Sequence, residues 1–390
     1  MRRREFLLAG SAAAAFALRS PQALAQARAA GWRADRTLVL VELAGGNDGL
    51  NTVVPYADPA YQRLRPAIAI KREAIVQLDE KLGLHPSLAA LGEAWKAGEL
   101  AIVQGVGYDN PNRSHFRSID IWDTASGSNR LLTEGWVSRV IGASRRQAER
   151  LADAVVLGGG AGPVGGAGLR AVSMPDPQRF LRQAEGMKAA DAHPANPALA
   201  HLLKVQHEIQ DTARELRGVL ARAPDVRGEF PPGPLGQQLR VAARLIAAKA
   251  VVPVVKVALG GFDTHANQPG PHANLLRQLG DGLAAFRKAV TGAGRWGDVL
   301  VMTYSEFGRR AAQNGSNGTD HGTAAPHFVL GARAKGGLHG PAPDLADLAN
   351  GDVRHAIDYR RLYATAAQTW WGFARTGAFD GHAPLPILKA

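Results

Sequence analysis

The chain has 390 residues, contains no cysteine and carries a formal net charge of +12 at pH 7. The lack of cysteine excludes disulfides, thiolate metal ligands and cysteine nucleophiles, so a metal site in this chain must use nitrogen and oxygen donors. The excess positive charge is scattered along the sequence without interleaved aromatic residues. This pattern could favour anionic ligands, but we expect no nucleic-acid partner.

The first 25 residues have the pattern of an export signal. Three arginines at 2–4 precede a short alanine-rich apolar run, and Ala23-Leu24-Ala25 fits a small-x-small cleavage site. The apolar run is too short to span a bilayer. The order Arg3-Arg4-x-Phe6-Leu7 is typical of twin-arginine signals, although Arg2 stands where serine or threonine is usual. We therefore expect the twin-arginine machinery to export the protein to the periplasm or beyond; the alternative is a disordered basic tail.

Six short apolar runs predict strands buried on both faces, as in a parallel sheet. They lie at 37–43, 100–106, 153–157, 253–259, 299–304 and 327–330. Helical patterns lie at 86–97, 112–125, 194–222, 235–250, 272–290 and 359–373. The alternation predicts an α/β fold with a mostly parallel sheet and helices on both faces. We expect one domain over 35–390, with a helical insertion around 175–235.

The glycine-rich stretch 158–168 contains the spacing G-x-G-x-x-G after a predicted strand. In a dinucleotide site the pyrophosphate lies at the start of a helix that follows such glycines. Pro163 and two further glycines leave no such helix start here. The stretch therefore predicts a mobile surface loop.

Acidic and imidazole side chains follow several of the predicted strands. Asp48, Asp263, Glu306 and the pair Asp320-His321 each come directly after an apolar run or in the loop beyond it. Ligands of open α/β sheets bind outside the carboxyl ends of the strands, so we expect these side chains to meet in one cleft. Carboxylates and imidazoles suit Zn²⁺, Mn²⁺ or Mg²⁺, and two such ions would support hydrolytic chemistry.

Six motifs spread over the chain carry a family resemblance. They are GGNDGLN at 45–51, RSHF at 113–116, GGFDTH at 260–265, SEFGR at 305–309, GTDHG at 318–322 and DYRRLYAT at 358–365. Together they resemble a bacterial family of twin-arginine-exported proteins of unknown function within the alkaline phosphatase and sulfatase superfamily. The resemblance implies an alkaline-phosphatase-like α/β fold and a metal-dependent hydrolase of phosphate or sulfate esters.

The superfamily pattern implies a role for each matching residue. It gives one metal to Asp48, Ser114, Asp320 and His321, and a second metal to Asp263, His265 and His327. Ser114 would also be the nucleophile, and Arg113 or Arg117 would contact a small anionic ester substrate.

Three departures from that pattern stand out. Asp263 and His265 are closer together than in the superfamily, where a histidine is expected at Asn267; His272 could substitute. Without cysteine, and without proline after the serine motif, a formylglycine sulfatase is not expected. Glu306 has no role in the pattern, although it belongs to the predicted metal-binding set.

Structural roles compete with these functional ones. Asp48 also fits turn chemistry, Ser114 also fits a helix cap, and His327 also fits a buried structural histidine. Glu306 also fits an ion pair with Arg309 or Arg310. The rival to the hydrolase is therefore a non-catalytic secreted binding or assembly protein that keeps the fold and a partial metal site.

Overall fold

The computed structural model describes residues 32–144, 150–175, 182, 196–226, 229–374 and 377–389. The expected export signal at 1–25 lies outside these residues. Within them, nine strands form a central sheet, and we number the strands of this sheet in chain order. They are β1 Thr37–Ala44, β2 Leu100–Gly107, β3 Ala154–Val156, β4 Ala171–Ser173, β5 Val254–Gly260, β6 Val299–Tyr304, β7 Ala325–Leu330, β8 Gly337–His339 and β9 Ile357–Asp358.

The sheet runs in the order β8-β2-β7-β6-β1-β5-β3-β4, and β9 also pairs with β2. Strand β1 lies at the centre, parallel to β5 on one side and to β6 on the other. Strand β7 is antiparallel to both of its neighbours, β2 and β6. The remaining pairings are parallel. Strands β1, β2, β5 and β6 therefore end at the same edge of the sheet.

The helices of the described residues are numbered in chain order. They are α1 Gly49–Thr52, α2 Pro59–Leu64, α3 Gly92–Lys96, α4 His115–Thr124, α5 Trp136–Ile141, α6 Pro197–Arg222, α7 Pro234–Ala247, α8 Pro269–Gly292 and α9 Arg360–Ala364. A π-helical turn, Thr365–Trp370, continues α9. Two short sheets lie outside the central one: Val53–Val54 with Gly83–Leu84 and Val76–Gln77, and Leu348–Ala349 with Asp352–Val353.

Alternate residues of β1 enter different cores. Val39, Val41 and Leu43 pack in a cluster that includes residues of α7 and α8. Leu38 and Leu40 pack on the opposite face, in a cluster that includes residues of α4, α5 and α9. Helices thus cover both faces of a mostly parallel sheet, and the predicted fold class is confirmed.

The glycine-rich stretch 158–168 is a loop with a short 3-10 turn at Gly162–Val164 and no following helix. It is more packed than the sequence suggested, because Pro163 and Val164 are buried. Much of the predicted insertion, including 176–181 and 183–195, lies outside the described residues. Within the described part, no helix combines the length and apolar character that crossing a membrane requires.

Candidate metal centre

Four side chains meet at the shared carboxyl edge of the sheet, one from the start of α4 and three from two loops: His115, Asp263, His265 and His321. His265 Nε2 lies 2.9 Å from His321 Nε2 and 3.0 Å from Asp263 Oδ1. His321 Nε2 lies 3.1 Å from Asp263 Oδ1, and His115 Nε2 lies 3.5 Å from Asp263 Oδ2. His115, Asp263 and His321 form a group of donor atoms that could hold one ion, within 4.8 Å of one another. We call the four residues the imidazole cluster.

Each histidine of the imidazole cluster has its Nδ1 beside an acceptor. His115 Nδ1 lies 2.9 Å from Glu306 Oε1, and His321 Nδ1 lies 2.8 Å from the carbonyl oxygen of Arg113. His265 Nδ1 lies 3.4 Å from Asp320 Oδ1. An acceptor at Nδ1 places the proton there and leaves the Nε2 lone pair free, which is how metal-ligating histidines are oriented.

The resulting Nε2 atoms face one another and a carboxylate. Two imidazole lone pairs 2.9 Å apart repel each other unless a proton or a cation lies close to both. Donor atoms bound to one Zn²⁺-like ion at about 2.0–2.1 Å are separated by roughly 2.9–3.4 Å, from octahedral to tetrahedral geometry. The separations among His265 Nε2, His321 Nε2 and Asp263 Oδ1 match this range, and His115 Nε2 lies 3.5 Å from Asp263 Oδ2, so the residues fit a divalent cation held by imidazole nitrogens and one carboxylate.

Arg309 fixes the position of Asp263 in the imidazole cluster. Its guanidinium is buried and donates to the carbonyl oxygens of Gly46, Phe262 and Thr319 at 2.7–3.0 Å. It also donates to Asp263 Oδ1 at 2.6 Å. Burial raises the pKa of Asp263, but the hydrogen bond and the charge of Arg309 outweigh it and lower that pKa to about 2. Asp263 is therefore ionised throughout the physiological range.

Glu306, for which the sequence offered no clear role, lies behind His115. Its Oε1 accepts from the backbone N–H of Gly45 at 2.8 Å as well as facing His115 Nδ1. The side chain is nearly buried, so this carboxylate orients the His115 ring rather than reaching the open face of the cluster. The alternative pairing with Arg309 or Arg310 is not found among the ion pairs of the described residues.

Asp320 lies at the outer side of the imidazole cluster and is largely exposed. Its Oδ1 accepts from Asn314 Nδ2 at 3.0 Å and faces His265 Nδ1. The hydrogen bond from Asn314, together with the neighbouring His265, outweighs the effect of burial and lowers the pKa of Asp320. Asp320 thus supports His265, while its neighbour His321 supplies a donor atom to the cluster.

Asp48 is not part of the imidazole cluster. It is fully buried, and its Oδ2 accepts from Arg65 Nη1 at 2.6 Å and from Gln268. Burial raises the pKa of Asp48, but the charge of Arg65 and its hydrogen bond outweigh burial and lower it. The structure thus places Asp48 apart from the imidazole cluster, where a buried guanidinium neutralises its charge.

His327 and His272 are also separate from the cluster. His327 is buried in β7 against Trp122, with ring centroids 5.2 Å apart, and burial lowers its pKa to about 3. His272 is buried in α8 with its Nε2 3.0 Å from Asn47 Oδ1. His327 therefore lies apart from the imidazole cluster, in a position that fits the alternative of a buried structural histidine. His272 does not substitute for the histidine expected at Asn267.

The remaining predicted residues surround the start of α4. Ser114 is exposed, precedes the helix, and makes no side-chain cap. Arg113 pairs with the buried carboxylate of Asp352. Arg117 Nη2 donates to the carbonyl oxygens of Ser128 and Arg130. Neither guanidinium is bonded to the imidazole cluster.

Two residues of the site escaped prediction. His115 stands within RSHF beside the proposed nucleophile, and the adjacent imidazole was the available signal. Arg309 stands within SEFGR, but its five contacts join three loops distant in sequence. No local pattern reveals such a position.

Several solved structures are similar to the chain, each at 10% identity. A structure described as Ps i-CgsB in complex with k-i-k-neocarrahexaose has a TM-score of 0.42, with 90% of this chain and 75% of that chain covered. The PsFucS1 sulfatase from Pseudoalteromonas sp. has a TM-score of 0.39, with coverage of 91% and 73%. The alkaline phosphatase from the Antarctic bacterium TAB5 has a TM-score of 0.33, with coverage of 78% and 94%. Scores this low carry no argument about chemistry.

No curated protein matches the chain at a significant level. A family model described as "Protein of unknown function (DUF1501)" matches residues 169–379, more than half of the chain. The matched range includes Asp263, His265, Glu306, Asp320 and His321. The prediction of a family of unknown function is confirmed, and the chain belongs to the DUF1501 family.

Proposed function

We propose that this protein is an exported, cation-dependent hydrolase of phosphate or sulfate esters, with its reaction centre at the imidazole cluster. The observation that carries the proposal is the common orientation of His115, His265 and His321. Each has an acceptor at Nδ1, and each presents Nε2 to Asp263. Structural histidines have no need to share this orientation beside one carboxylate.

The proposed centre holds one divalent cation rather than two. Asp48 and His327, which a second ion would require, are buried and engaged elsewhere. A bound divalent cation would act as a Lewis acid towards an ester oxygen and would favour ionisation of a nearby hydroxyl. The residues of this chain would supply the donor atoms. The acceptors at Nδ1 would hold each imidazole in one tautomer, and Arg309 would keep Asp263 ionised.

Ser114 is the proposed nucleophile. Its hydroxyl makes no cap bond, it is exposed, and it directly precedes His115 at the start of a ten-residue helix. A helix N-terminus favours negative charge, so the developing alkoxide would be stabilised there. The oxygen of Ser114 would attack phosphorus or sulfur, the ester oxygen would leave as the alcohol, and water would then release phosphate or sulfate.

A non-catalytic binding or assembly protein is the second candidate. The buried Asp48–Arg65 pair favours it, because a guanidinium there leaves the superfamily's metal pattern incomplete. Such a protein would still bind a cation at the imidazole cluster, where the ion would join the loops after β2, β5 and β6. Cation binding alone therefore does not separate the two candidates, whereas ester turnover does.

The test uses the protein purified after native export. Bound metal is counted, and hydrolysis of p-nitrophenyl phosphate, bis-p-nitrophenyl phosphate and p-nitrophenyl sulfate is followed. We expect about one divalent cation per chain and turnover of at least one ester. His321→Ala should weaken cation binding at least tenfold and abolish turnover. His339→Ala, which changes a histidine bonded to the Lys335 carbonyl, is the matched control.

Ser114→Ala separates chemistry from cation binding. The variant should keep its cation and lose turnover, because only the attacking oxygen is removed. Turnover that survives in Ser114→Ala would overturn the role of Ser114. A wild-type protein that binds one cation and hydrolyses none of the three esters would support the non-catalytic candidate instead.

A further inference from the structure

A large cavity is bordered by α6 and α7, beyond the end of β3. Its volume is about 1010 Å³, at the upper end of the range of roughly 300–1,000 Å³ for ligand pockets. The buried Leu157, which directly follows β3, and the exposed Arg240 both line it, so the cavity reaches from the core to the solvent. None of the described residues that line it belongs to the imidazole cluster. We call it the helical cavity.

Each of the two helices presents one face to the helical cavity. Lining residues recur at intervals of three or four along each helix, which is the spacing of neighbours on one helical face. They include Arg217, Leu220 and Ala221 in α6, and Arg240, Val241 and Arg244 in α7. Both faces therefore combine guanidinium groups with apolar side chains.

Hydrogen bonds fix the walls of the helical cavity. Arg244 Nη2 donates to the carbonyl oxygen of Leu220 at 2.7 Å, which ties α7 to α6. The buried amide of Gln238 donates to the carbonyl oxygen of Ala258 at 3.2 Å and accepts from the N–H of Ala258 at 2.7 Å. These bonds hold α7 against both α6 and β5, so the cavity is formed before any ligand arrives. A preformed pocket reduces the entropy that a ligand must lose on binding.

The helical cavity carries an excess of positive charge. Asp225 is the only acidic side chain among the described residues that line it, whereas α6 and α7 alone contribute three arginines. Within the described part of the chain, neither Arg240 nor Arg244 forms an ion pair. Guanidinium groups bind carboxylate and phosphate oxygens through paired hydrogen bonds. The charge therefore favours an anionic ligand, and Leu157, Leu220 and Val241 favour an apolar body on it.

We propose that the helical cavity binds an organic anion with an aliphatic body, such as an alkyl carboxylate or alkyl phosphate. The guanidinium groups of α6 and α7 hold the anionic head, and the apolar side chains between them cover the aliphatic body. This site is separate from the imidazole cluster, and its ligand is independent of the proposed hydrolysis.

Titration calorimetry on the full-length protein tests the proposal with decanoate, decyl phosphate, hexanoate and decyltrimethylammonium, all below their micellar concentrations. Decanoate should bind about tenfold or more tightly than hexanoate, because each of its four additional methylene groups adds about threefold when covered. Decanoate or decyl phosphate should bind about tenfold or more tightly than decyltrimethylammonium, which has the same body and the opposite charge. The tighter of the two anions identifies the head group.

Charge variants locate the binding site. Arg240→Gln should weaken decanoate binding about threefold, and Arg240→Glu about tenfold, because the first removes a charge at the cavity and the second reverses it. Arg63→Glu is the matched control, since Arg63 is also an exposed helical arginine, in α2, and does not line the cavity. His321→Ala should leave decanoate binding unchanged, which distinguishes this site from the imidazole cluster.

Three results would overturn the proposal. Equal affinities for decanoate and decyltrimethylammonium would show adsorption to apolar surface without charge selection. Equal affinities for hexanoate and decanoate would show ion pairing without a site for the aliphatic body. An equal loss of decanoate affinity in Arg63→Glu and Arg240→Glu would show an effect of net charge rather than of the helical cavity. None of these results bears on ester turnover.

Discussion

Replacing Asp123 with asparagine should stabilise the protein increasingly as pH rises. The Oδ1 atom of Asp123 is buried without a hydrogen-bond partner and lies against Gly162, whose added Cβ would be 2.8 Å from it. Nearby, Lys256 is already paired with Glu42, and an added Cβ on Gly159 would lie 2.7 Å from both of their charged ends. One lysine thus faces two carboxylates. Burial, and then the charge of Glu42, raise the pKa of Asp123 to about 8.

The sign of the pH effect follows from the direction of this shift. An acid with a raised pKa in the folded protein keeps its proton where the unfolded chain has lost it, so folding stability falls as pH rises from about 4 to about 8. Each pKa unit corresponds to about 1.4 kcal/mol, so the group costs about 4 kcal/mol at pH 7 relative to an unperturbed carboxyl. Asparagine is neutral at every pH and removes this cost.

Thermal unfolding followed by circular dichroism between about pH 5 and pH 9 measures the effect. Near pH 5 the protonated acid and the amide are both neutral, and the two proteins should unfold within a few degrees of each other. A cost of about 4 kcal/mol corresponds to roughly 5 °C for a chain of this length, so Asp123→Asn should unfold about 5 °C higher by pH 8. Asp225→Asn, at an exposed position, is the control. A difference that stays constant or shrinks with rising pH would refute the reasoning.

Three further predictions concern the site residues. Asp48→Asn should destabilise the protein by about 3 kcal/mol in chemical denaturation, because it leaves Arg65 buried without its anion, but calorimetry should find cation stoichiometry unchanged. Glu306→Gln should weaken cation binding about tenfold or more, because it removes the carboxylate that orients His115. Since burial lowers the pKa of His327 to about 3, stability should fall as pH drops below about 6.5, and His327→Gln should reduce that loss while leaving cation affinity unchanged.

The predictions for the fold succeeded where an apolar run was long enough to be informative. The six predicted strands are present as β1, β2, β3, β5, β6 and β7, within two residues at each end. The strands β4, β8 and β9 were not predicted, because their two or three residues do not belong to a longer apolar run. The reversed direction of β7 was also not predicted, since strand direction depends on the loop that precedes it.

The order of residues in the sequence predicted which side chains lie near the carboxyl edge of the sheet, but not how deeply each of them is buried. Asp263, His265 and His321 follow strands and reach the imidazole cluster, as the position rule suggested. Asp48 also follows a strand, yet it is buried beside Arg65, which lies 17 residues further along the chain. No motif marks Arg65 as the partner of Asp48. A local sequence pattern cannot identify the compensating charge when it comes from another loop.

The acceptors behind the histidines explain why some predicted residues join the site and others do not. An imidazole can present Nε2 to a cation when its proton is on Nδ1 and is held there by a hydrogen-bond acceptor. The acceptors are Glu306 for His115, Asp320 for His265 and the Arg113 carbonyl for His321. Among the described residues, the Nδ1 atom of His327 faces only the hydroxyl Thr303 Oγ1, at 3.5 Å, and no carboxylate. Glu306 was the least understood residue of the sequence because a supporting acceptor matches no ligand motif. Its contact with His115 makes it the residue on which the orientation of that imidazole depends.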